Sequence, residues 1–402
     1  MADLLQNFLL LIGVLVAWTV GLLLLSRTAW WKRQGILALS GPILLLKTVR
    51  GREVLDRVAQ RRRFWRVYGD LSIFFVFAAM VGITALLVWE ATLVAGIPAS
   101  RAPSPDLLLG LPGINPVIPL GYGIFALAVA IVLHELAHGV LSRVSNVRVQ
   151  SLGLLLVVVP IGAFVEPDEK EMKAMPRRER LRLYAAGPAT NLALASVFLV
   201  TFSFIMMPAV QPYHVGAGVT AVRPGGPADG LGIAPGWVIT SLNGTAVTGS
   251  LALLDALNAT LPNATVSMTA CHRTECRNLA ATLSYLARAP DRGGGFRGSL
   301  NITATDVRTD VFQPLGAPGG DPARGLLAYI SLPFLGLMPM SAPLSDFFVV
   351  TGPWAALPDW LFWTLASGAY YMFWLNLMLG ATNALPAVPL DGGYIFRDAL
   401  HG

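Results

Sequence analysis

The sequence predicts a polytopic α-helical membrane protein with an inserted β-rich domain. Of its 402 residues, 54% are hydrophobic and only 13% are charged, whereas a soluble globular protein carries about twice that charged fraction. Segment 208–325 differs from the rest, because glycines and prolines separate short runs that favour strands. Five apolar stretches approach the roughly 20 residues that a helix needs to cross a bilayer: 4–25, 71–94, 119–141, 183–207 and 361–380.

The positions of Lys and Arg predict how these stretches are oriented. Loop 26–70 is rich in both residues, whereas loop 97–118 contains Arg101 alone. Short cytoplasmic loops are enriched in Lys and Arg, so we expect loop 26–70 in the cytoplasm, and the N-terminus and segment 208–325 on the opposite side. The net charge of +6 then belongs to cytoplasmic flanks, and we expect no nucleic acid as a partner.

Four apolar stretches need separate interpretation. Stretch 4–25 is too long for a signal peptide and lacks its basic start and cleavage site, so we expect a retained anchor. Stretch 35–46 is too short to cross and is interpreted as an in-plane or partly buried helix. Stretch 149–165 is rich in β-branched residues, which favour a strand. Stretch 325–350 is broken by three prolines and is interpreted as re-entrant or interfacial.

The third long stretch contains the motif His134-Glu-Leu-Ala-His138. Residues four apart share one face of a helix, so the two histidines can bind one zinc ion while Glu135 activates a water molecule. A chance match is the alternative, but ionisable residues at membrane depth are costly and usually functional. A catalytic zinc normally takes three protein ligands, and Asp391 offers a carboxylate, although a Leu-Asp-Gly sequence taken alone is typical of a turn.

Two motifs together resemble those of the site-2 protease family of intramembrane zinc metalloproteases. They are the HExxH motif and Asn383-Ala-Leu-Pro-Ala-Val-Pro-Leu-Asp-Gly392. Segments Ala186-Gly-Pro-Ala-Thr-Asn191 and Gly162-Ala-Phe-Val-Glu166 are also similar to elements of that family. The resemblance therefore covers the membrane core of the chain.

The resemblance implies a role for each of these residues. Zinc is the expected cofactor, with His134, His138 and Asp391 as its ligands and Glu135 as the catalytic residue. Asn383 and Asn191 are expected to contact the substrate. Two further structural features are implied: Pro386 and Pro389 interrupt the last helix so that Asp391 turns toward the metal, and stretch 149–165 forms a membrane-dipping β segment.

Segment 208–325 resembles a PDZ domain. It contains 218–227 and 235–244, which have a strand, turn and strand rhythm, and 251–261, which is a candidate helix. In PDZ domains a peptide adds to a sheet edge beside a helix, so a peptide is the expected ligand of this domain. A β-rich spacer without a ligand is the alternative.

The same segment carries two signs of an extracytoplasmic location. Cys271 and Cys276, which are the two cysteines of the chain, are spaced to form a disulfide that an oxidising compartment would preserve. Metal binding by this pair with His272 is the alternative. The second sign is a set of four Asn-x-Thr glycosylation sequons, at Asn243, Asn258, Asn263 and Asn301.

These observations and the resemblance predict an intramembrane zinc metalloprotease in the cell membrane, with its zinc site toward the cytoplasm. Its expected partners are the lipid bilayer and a membrane-anchored protein, which it would cut within or near the transmembrane helix in regulated intramembrane proteolysis. The alternatives are a zinc-binding membrane sensor or transporter and a non-catalytic scaffold that presents the PDZ-like domain.

The predicted organisation has five parts. The sequence stops at Gly402, where a helix is expected to begin, whereas members of that family usually continue with more membrane helices. Two explanations are therefore open: the chain is truncated, or it is a short member of the family. In order, the parts are N-terminal membrane helices with a basic cytoplasmic loop (1–112), the first part of the catalytic core (113–207), the extracytoplasmic PDZ-like domain (208–325), a re-entrant or interfacial segment (326–358) and the second part of the core (359–402).

Overall fold

A computed structural model gives the fold of residues 2–49, 51–94, 107, 110, 112–287, 296–308, 312, 315 and 321–401. The helices of this described part, α1 to α12, are Ala2–Ser26, Ala29–Gln34, Arg52–Ala59, Arg62–Val94, Leu120–Val144, Glu169–Ala174, Arg177–Val200, Pro227–Gly230, Ser250–Asn258, Pro322–Ser331, Asp359–Asn383 and Asp391–His401. The strands, β1 to β14, are Leu37–Ser40, Ile43–Thr48, Val149–Val157, Val159–Pro167, Val210–Pro212, Gly216–Val222, Val238–Leu242, Thr245–Ala246, Thr265–His272, Glu275–Thr282, Ser284–Ala287, Phe296–Ser299, Ile302–Val307 and Phe348–Val350.

The chain divides into two compact units. The first comprises Met1–Pro112, Leu120–Val197 and Tyr371–Gly402. The second comprises Gly113–Pro119 and Phe198–Tyr370. The first unit contains the HExxH motif and Asp391, and the second contains the predicted PDZ-like segment.

Three helices of the described part are long and apolar enough to cross a membrane: Arg62–Leu93, Leu120–Val144 and Arg177–Ala209. They correspond to the second, third and fourth of the five predicted spans. The first predicted span lies in α1, where the apolar helix with described side chains is Ile12–Ser26. The fifth forms α11, which has 25 residues, but its Trp, Tyr, Ser and Asn side chains lower its mean hydropathy.

The prediction of an in-plane helix at 35–46 was wrong, because this stretch forms a β-hairpin. Strands β1 and β2 pair antiparallel around Gly41, which has a φ of +59° and therefore suits a tight hairpin turn. Strand β2 then pairs with β3, and the sheet has the order β1-β2-β3-β4. An isolated short apolar run does not distinguish a helix from a strand, and the backbone partners supplied by β3 favour the strand here.

Stretch 149–165 forms strands, as predicted. It provides β3 and β4, which pair antiparallel, with β4 at the edge of the four-stranded sheet. Across this sheet Lys47 of β2 lies 2.9 Å from Glu166 of β4, and Ser151 of β3 donates a hydrogen bond to the same carboxylate. These two contacts, with that of Ser151 the larger, hold the pKa of Glu166 below its usual value and tie the hairpin to the strand nearest α5.

The second unit is built around a six-stranded antiparallel sheet. Its order is β10-β9-β7-β6-β13, with β8 paired to β7. The predicted strands appear as β6 and β7, and the predicted helix 251–261 appears as α9. Side chains such as Ile239, Leu253 and Met268 form the buried core between this helix and the sheet. Stretch 325–350 contains most of α10, a 3-10 turn and β14, so it forms no single long helix.

A partly buried ion-pair network joins α4 to α7 in the first unit. Arg182 of α7 donates hydrogen bonds from Nε and Nη2 to the two carboxylate oxygens of Asp70 in α4, at 2.8 and 2.6 Å. Arg178 also donates to Asp70, and Arg182 reaches Glu179. Nearby, the hydroxyl groups of Tyr68 and Thr190 lie 2.6 Å apart. The register of α7 against α4 is therefore set by polar contacts at one end of both helices.

We expect Asp70→Asn to destabilise the first unit. Removing one partner of a fully buried ion pair costs roughly 3–5 kcal/mol, and we expect about 2 kcal/mol here, because the Asp70 side chain is 35% exposed. The free energy of unfolding in mixed micelles, from reversible denaturant titration, measures the change. Glu169→Gln is the control, since it breaks the exposed pair with Lys173 and should change the stability by less than about 1 kcal/mol. Equal effects of the two substitutions would contradict a structural role for Asp70.

Candidate metal centre

Helix α5 and the start of α12 bring three ligand atoms together. Oδ2 of Asp391 lies 3.1 Å from Nε2 of His134 and 3.3 Å from Nε2 of His138, and the two Nε2 atoms are 3.2 Å apart. Both histidines are buried. Tetrahedral zinc with bonds of about 2.0–2.1 Å places its ligand atoms about 3.3 Å apart. The spacing of these atoms and their chemistry therefore fit a zinc ion held by two His and one Asp.

The position of Asp391 results from a break between α11 and α12. Helix α11 ends at Asn383 and α12 begins at Asp391, with both predicted prolines in the connection. The next two residues are glycines that pack directly on this connection. A Cβ atom added to Gly392 would lie 2.2 Å from the carbonyl oxygen of Ala384. One added to Gly393 would lie 2.4 Å from the carbonyl carbon of Ala387. The Asp-Gly-Gly sequence thus lets the first turn of α12 lie against the connection, which holds the carboxylate at the histidines.

Gly187 of α7 lies against the two imidazole rings. A Cβ atom at this position would be 2.4 Å from Nε2 of His138 and 2.5 Å from Nε2 of His134. Any larger residue would therefore occupy the space of the ligand atoms. The Ala-Gly-Pro segment was noted from the sequence without a role for this glycine. A glycine inside an apolar helix was the signal that could have indicated that role.

The hydrogen bonds of the rings orient Nε2 of each histidine toward the metal position. His138 Nδ1 lies 2.8 Å from the carbonyl oxygen of Leu183, which can only accept, so Nδ1 carries the proton. His134 Nδ1 lies 3.0 Å from Nδ2 of Asn191, whose Oδ1 is buried without a hydrogen-bond partner. Amide oxygen and nitrogen atoms are assigned from their hydrogen bonds. Exchanging them lets Nδ1–H of His134 donate to Oδ1, and the amide nitrogen then takes the position without a partner.

Asn191 lies next to the candidate ligands but does not line the cavity beside them. It was expected to contact the substrate, but its side chain is 0% exposed and its amide contacts His134. Asn191 follows Gly187 by one turn of α7. The same helix therefore contacts the Nε2 atoms of both histidines through Gly187 and the Nδ1 atom of His134 through the Asn191 amide. Asn191 has the position of a residue that orients His134.

Glu135 lies beside the ligands and contacts the edge strand of the sheet. The backbone N–H of Val165 in β4 donates a hydrogen bond of 3.1 Å to Oε2 of Glu135. Gly139, one turn further along α5, leaves room for Val165. A Cβ atom added to Gly139 would lie 3.2 Å from the Val165 side chain. The edge of the sheet is therefore in register with the carboxylate expected to activate water.

A cavity of about 310 Å³ opens beside these residues. Asn383 lies in its wall together with Glu135 and the three candidate ligands, so the structure places this asparagine where a bound chain could contact it. The remaining wall is mainly apolar, with two tyrosine hydroxyl groups: Val165, Pro167, Met172, Leu183, Tyr184, Pro389 and Tyr394.

The two cysteines lie in the second unit. Cys271 of β9 and Cys276 of β10 are paired in the hairpin register and joined by a disulfide. The histidine beside them is His214, whose Nε2 is 3.7 Å from Sγ of Cys276. His272 instead lies against the ring of Trp237. A metal bound at these cysteines would therefore use His214 and not His272, which was the alternative predicted from the sequence.

We expect Gly187→Ala to weaken zinc binding by about 100-fold, at the upper end of the losses seen when surrounding residues disturb metal ligands. The added methyl group overlaps both Nε2 positions. Bound zinc is measured by elemental analysis after competition with a chelator. Gly121→Ala on α5 is the matched control, because a Cβ atom there meets nothing within 4 Å. Normal zinc affinity in Gly187→Ala would contradict this geometry.

We expect Asn191→Leu to lower the zinc affinity about 10-fold through loss of the acceptor for His134. Asn191→Asp keeps an oxygen at that position and should bind zinc at least as well as the unmodified chain. The same chelator competition compares the two variants. If both lose zinc equally, Asn191 fills space and does not orient the ring.

Comparison with known proteins agrees with this centre. The sequence profile of peptidase family M50 matches residues 122–402, well over half of the chain. A Methanocaldococcus jannaschii protein described as uncharacterized is 31% identical over 166 residues, which are 40% of this chain and 44% of that protein. A membrane-bound transcription factor site-2 protease homolog of Arabidopsis thaliana is 22% identical over 190 residues, 45% of this chain and 37% of that protein. The chain thus spans less than half the length of these relatives.

A solved structure is also similar to part of this chain. The PDZ domain of an SdrC-like protein from Listeria monocytogenes is 20% identical, and the similarity covers 25% of this chain and 95% of that domain. The TM-score of 0.19 is too low to establish a shared fold, so the PDZ-like nature of the insert stays a prediction. The profile match and the three apolar helices lead to a conclusion about the whole: this chain is an integral membrane protein that belongs to peptidase family M50.

Proposed function

We propose that this protein is an intramembrane zinc metalloprotease that cuts a membrane-anchored protein within or near its transmembrane helix. The observation that carries the proposal is that Asp391 lies beside His134 and His138. Both histidines and Glu135 belong to a helix long and apolar enough to span a membrane. A metal site for structure alone would not need a free carboxylate next to its ligands. The family to which the chain belongs supports metalloprotease chemistry.

The proposed reaction assigns a separate task to each residue. His134, His138 and Asp391 would hold zinc, which when bound polarises a carbonyl group and makes water a stronger nucleophile. Glu135 takes a proton from the attacking water and later returns a proton to the leaving amine. The hydrogen bond from Val165 N–H holds the Glu135 carboxylate at the edge of β4, close to where the scissile bond of an extended segment would lie.

A helical substrate must be unwound before it can be cut, because its backbone groups are bonded within the helix. We propose that an unwound segment adds to the free edge of β4, as peptides add to sheet edges in other proteins. This edge lies next to α5, and Asn383 in the cavity wall offers an amide to the same segment. The sheet edge and the asparagine would then replace hydrogen bonds that the substrate loses.

The sidedness of the protein is part of the proposal. The basic loop 26–70 supports a cytoplasmic location for that loop, with the N-terminus and the insert on the opposite face and the zinc site toward the cytoplasm. The four sequons and the disulfide of the insert agree with this orientation. In this arrangement the PDZ-like insert either binds a peptide or excludes substrates that keep a bulky outer domain, and cleavage follows an earlier cut.

We expect Glu135→Gln to abolish cleavage of single-span test substrates in liposomes, by at least about 1,000-fold, because general acid–base catalysis and alignment of the water are both lost. Zinc content should be unchanged, since Glu135 is not one of the three ligands. Glu53→Gln, an exposed substitution on α3, is the control and should cleave normally.

Retained zinc without cleavage in either protein would instead favour a zinc-binding sensor, transporter or scaffold. Cleavage that persists in Glu135→Gln would assign the proton transfer to another residue.

A further inference from the structure

A second polar cavity lies in the first unit, apart from the metal centre. Its volume is about 620 Å³, and none of the residues that line it also lines the cavity at the histidines. It is bounded by α3, the last turn of α5, the start of β3 and the residue that caps α6. The lining residues are Arg52, Asp56, Arg143, Arg148, Val149, Gln150 and Asp168.

Both acidic groups of this cavity are occupied by other contacts. Asp56 accepts a hydrogen bond from Nε of Arg143. Asp168 caps α6, where its carboxylate accepts hydrogen bonds from two backbone N–H groups, and it also accepts one from the amide of Gln150. These bonds hold the pKa of Asp168 below its usual value, with the backbone bond the largest cause. Both carboxylates therefore already have hydrogen-bond partners other than Arg52.

The three arginines differ in what they contact. Arg143 is paired with Asp56, and Arg148 is paired with Glu171 at the cavity rim. The guanidinium group of Arg52 makes no hydrogen bond or ion pair with any residue that the structure describes, and its Nε atom is shielded from solvent. A shielded donor without a partner is costly. The cavity thus has one arginine whose side-chain donors have no partner among the residues that the structure describes.

The cavity also lies where lipid headgroups are expected. Arg143 is in the last turn of the candidate span Leu120–Val144, and α3 directly precedes the candidate span Arg62–Leu93. The ends of spans lie at the level of the headgroups. On α3, Val54 and Val58 are one turn apart and are 57% and 41% exposed, as in a helix that lies in the membrane interface.

We propose that this cavity binds a phosphate group, supplied by the headgroup of an anionic phospholipid. The guanidinium fork of Arg52 would donate two hydrogen bonds to phosphate oxygens, a geometry that suits arginine better than lysine. Arg143 and Arg148 contribute positive charge from the sides, while Val54 and Val58 offer an apolar surface to the acyl chains. A soluble phosphate compound is the other source of the same chemistry.

The test measures lipid binding by the purified full chain in detergent, and it is independent of proteolysis. Native mass spectrometry compares retention of phosphatidylglycerol with that of phosphatidylcholine, and calorimetry measures binding of inorganic phosphate. Arg52→Gln is compared with Arg57→Gln, which lies on the same short helix, is exposed and does not line the cavity. Arg52→Lys keeps the charge without the fork, and thermal unfolding shows that each variant is folded.

We expect the protein to retain phosphatidylglycerol in preference to phosphatidylcholine. Arg52→Gln should lower the affinity about tenfold, because a charge-assisted partner is lost. Arg52→Lys should cause a smaller loss of affinity, and Arg57→Gln should cause none. Binding of inorganic phosphate that depends on Arg52, without a preference between the lipids, would support the phosphate site and assign it a soluble ligand. Equal losses in the Arg52 and Arg57 variants, or no anion binding at all, would overturn the proposal, because diffuse attraction to basic residues would then be sufficient.

Discussion

Helix α7 has no side chain at Gly187, where it meets the imidazoles of α5, and the geometry of the metal centre depends on that close approach. Two rings four residues apart on a helix can point at one position only if the neighbouring helix leaves room for their outer nitrogen atoms. With the glycine in place, the same helix brings Leu183 O to Nδ1 of His138 and the Asn191 amide to Nδ1 of His134. One helix therefore sets the space, the orientation and the tautomer of both rings.

The same principle recurs at the other side of the centre. The first turn of α12 lies against the connection that follows α11, and two consecutive glycines after Asp391 allow this contact. This close backbone packing restricts the position of the Asp391 carboxylate more strongly than a longer, more flexible side chain would allow. The ion pairs of Arg180 with Asp398 and of Arg182 with Asp70 add fixed points at the outer ends of these helices. The ligand set is thus held by helix packing and not by flexible loops.

The four-stranded sheet gives the first unit both a reactive edge and a polar flank. Its edge strand β4 contacts Glu135 through a backbone N–H group, which places extended structure beside the proposed general base. At the start of β3, Gln150 and the preceding residue Arg148 contribute to the arginine-lined cavity. Strand β3 pairs with β4 and also borders that cavity, so a ligand bound there would contact a strand adjacent to the one at the metal centre.

The amino-acid sequence by itself determined the chemistry and the long apolar helices. HExxH spacing places two histidines on one helical face, and a Pro-rich break before Asp391 predicts a turn, because both effects are local. Tertiary structure alone decided that 37–48 is a hairpin, that Gly187 must be small and that Asn191 contacts a ring. It also decided that the Arg52 side chain has no hydrogen-bond partner within the described part of the chain. Each of these properties depends on residues distant in the chain, and neither periodicity nor local spacing carries information about which distant groups come into contact.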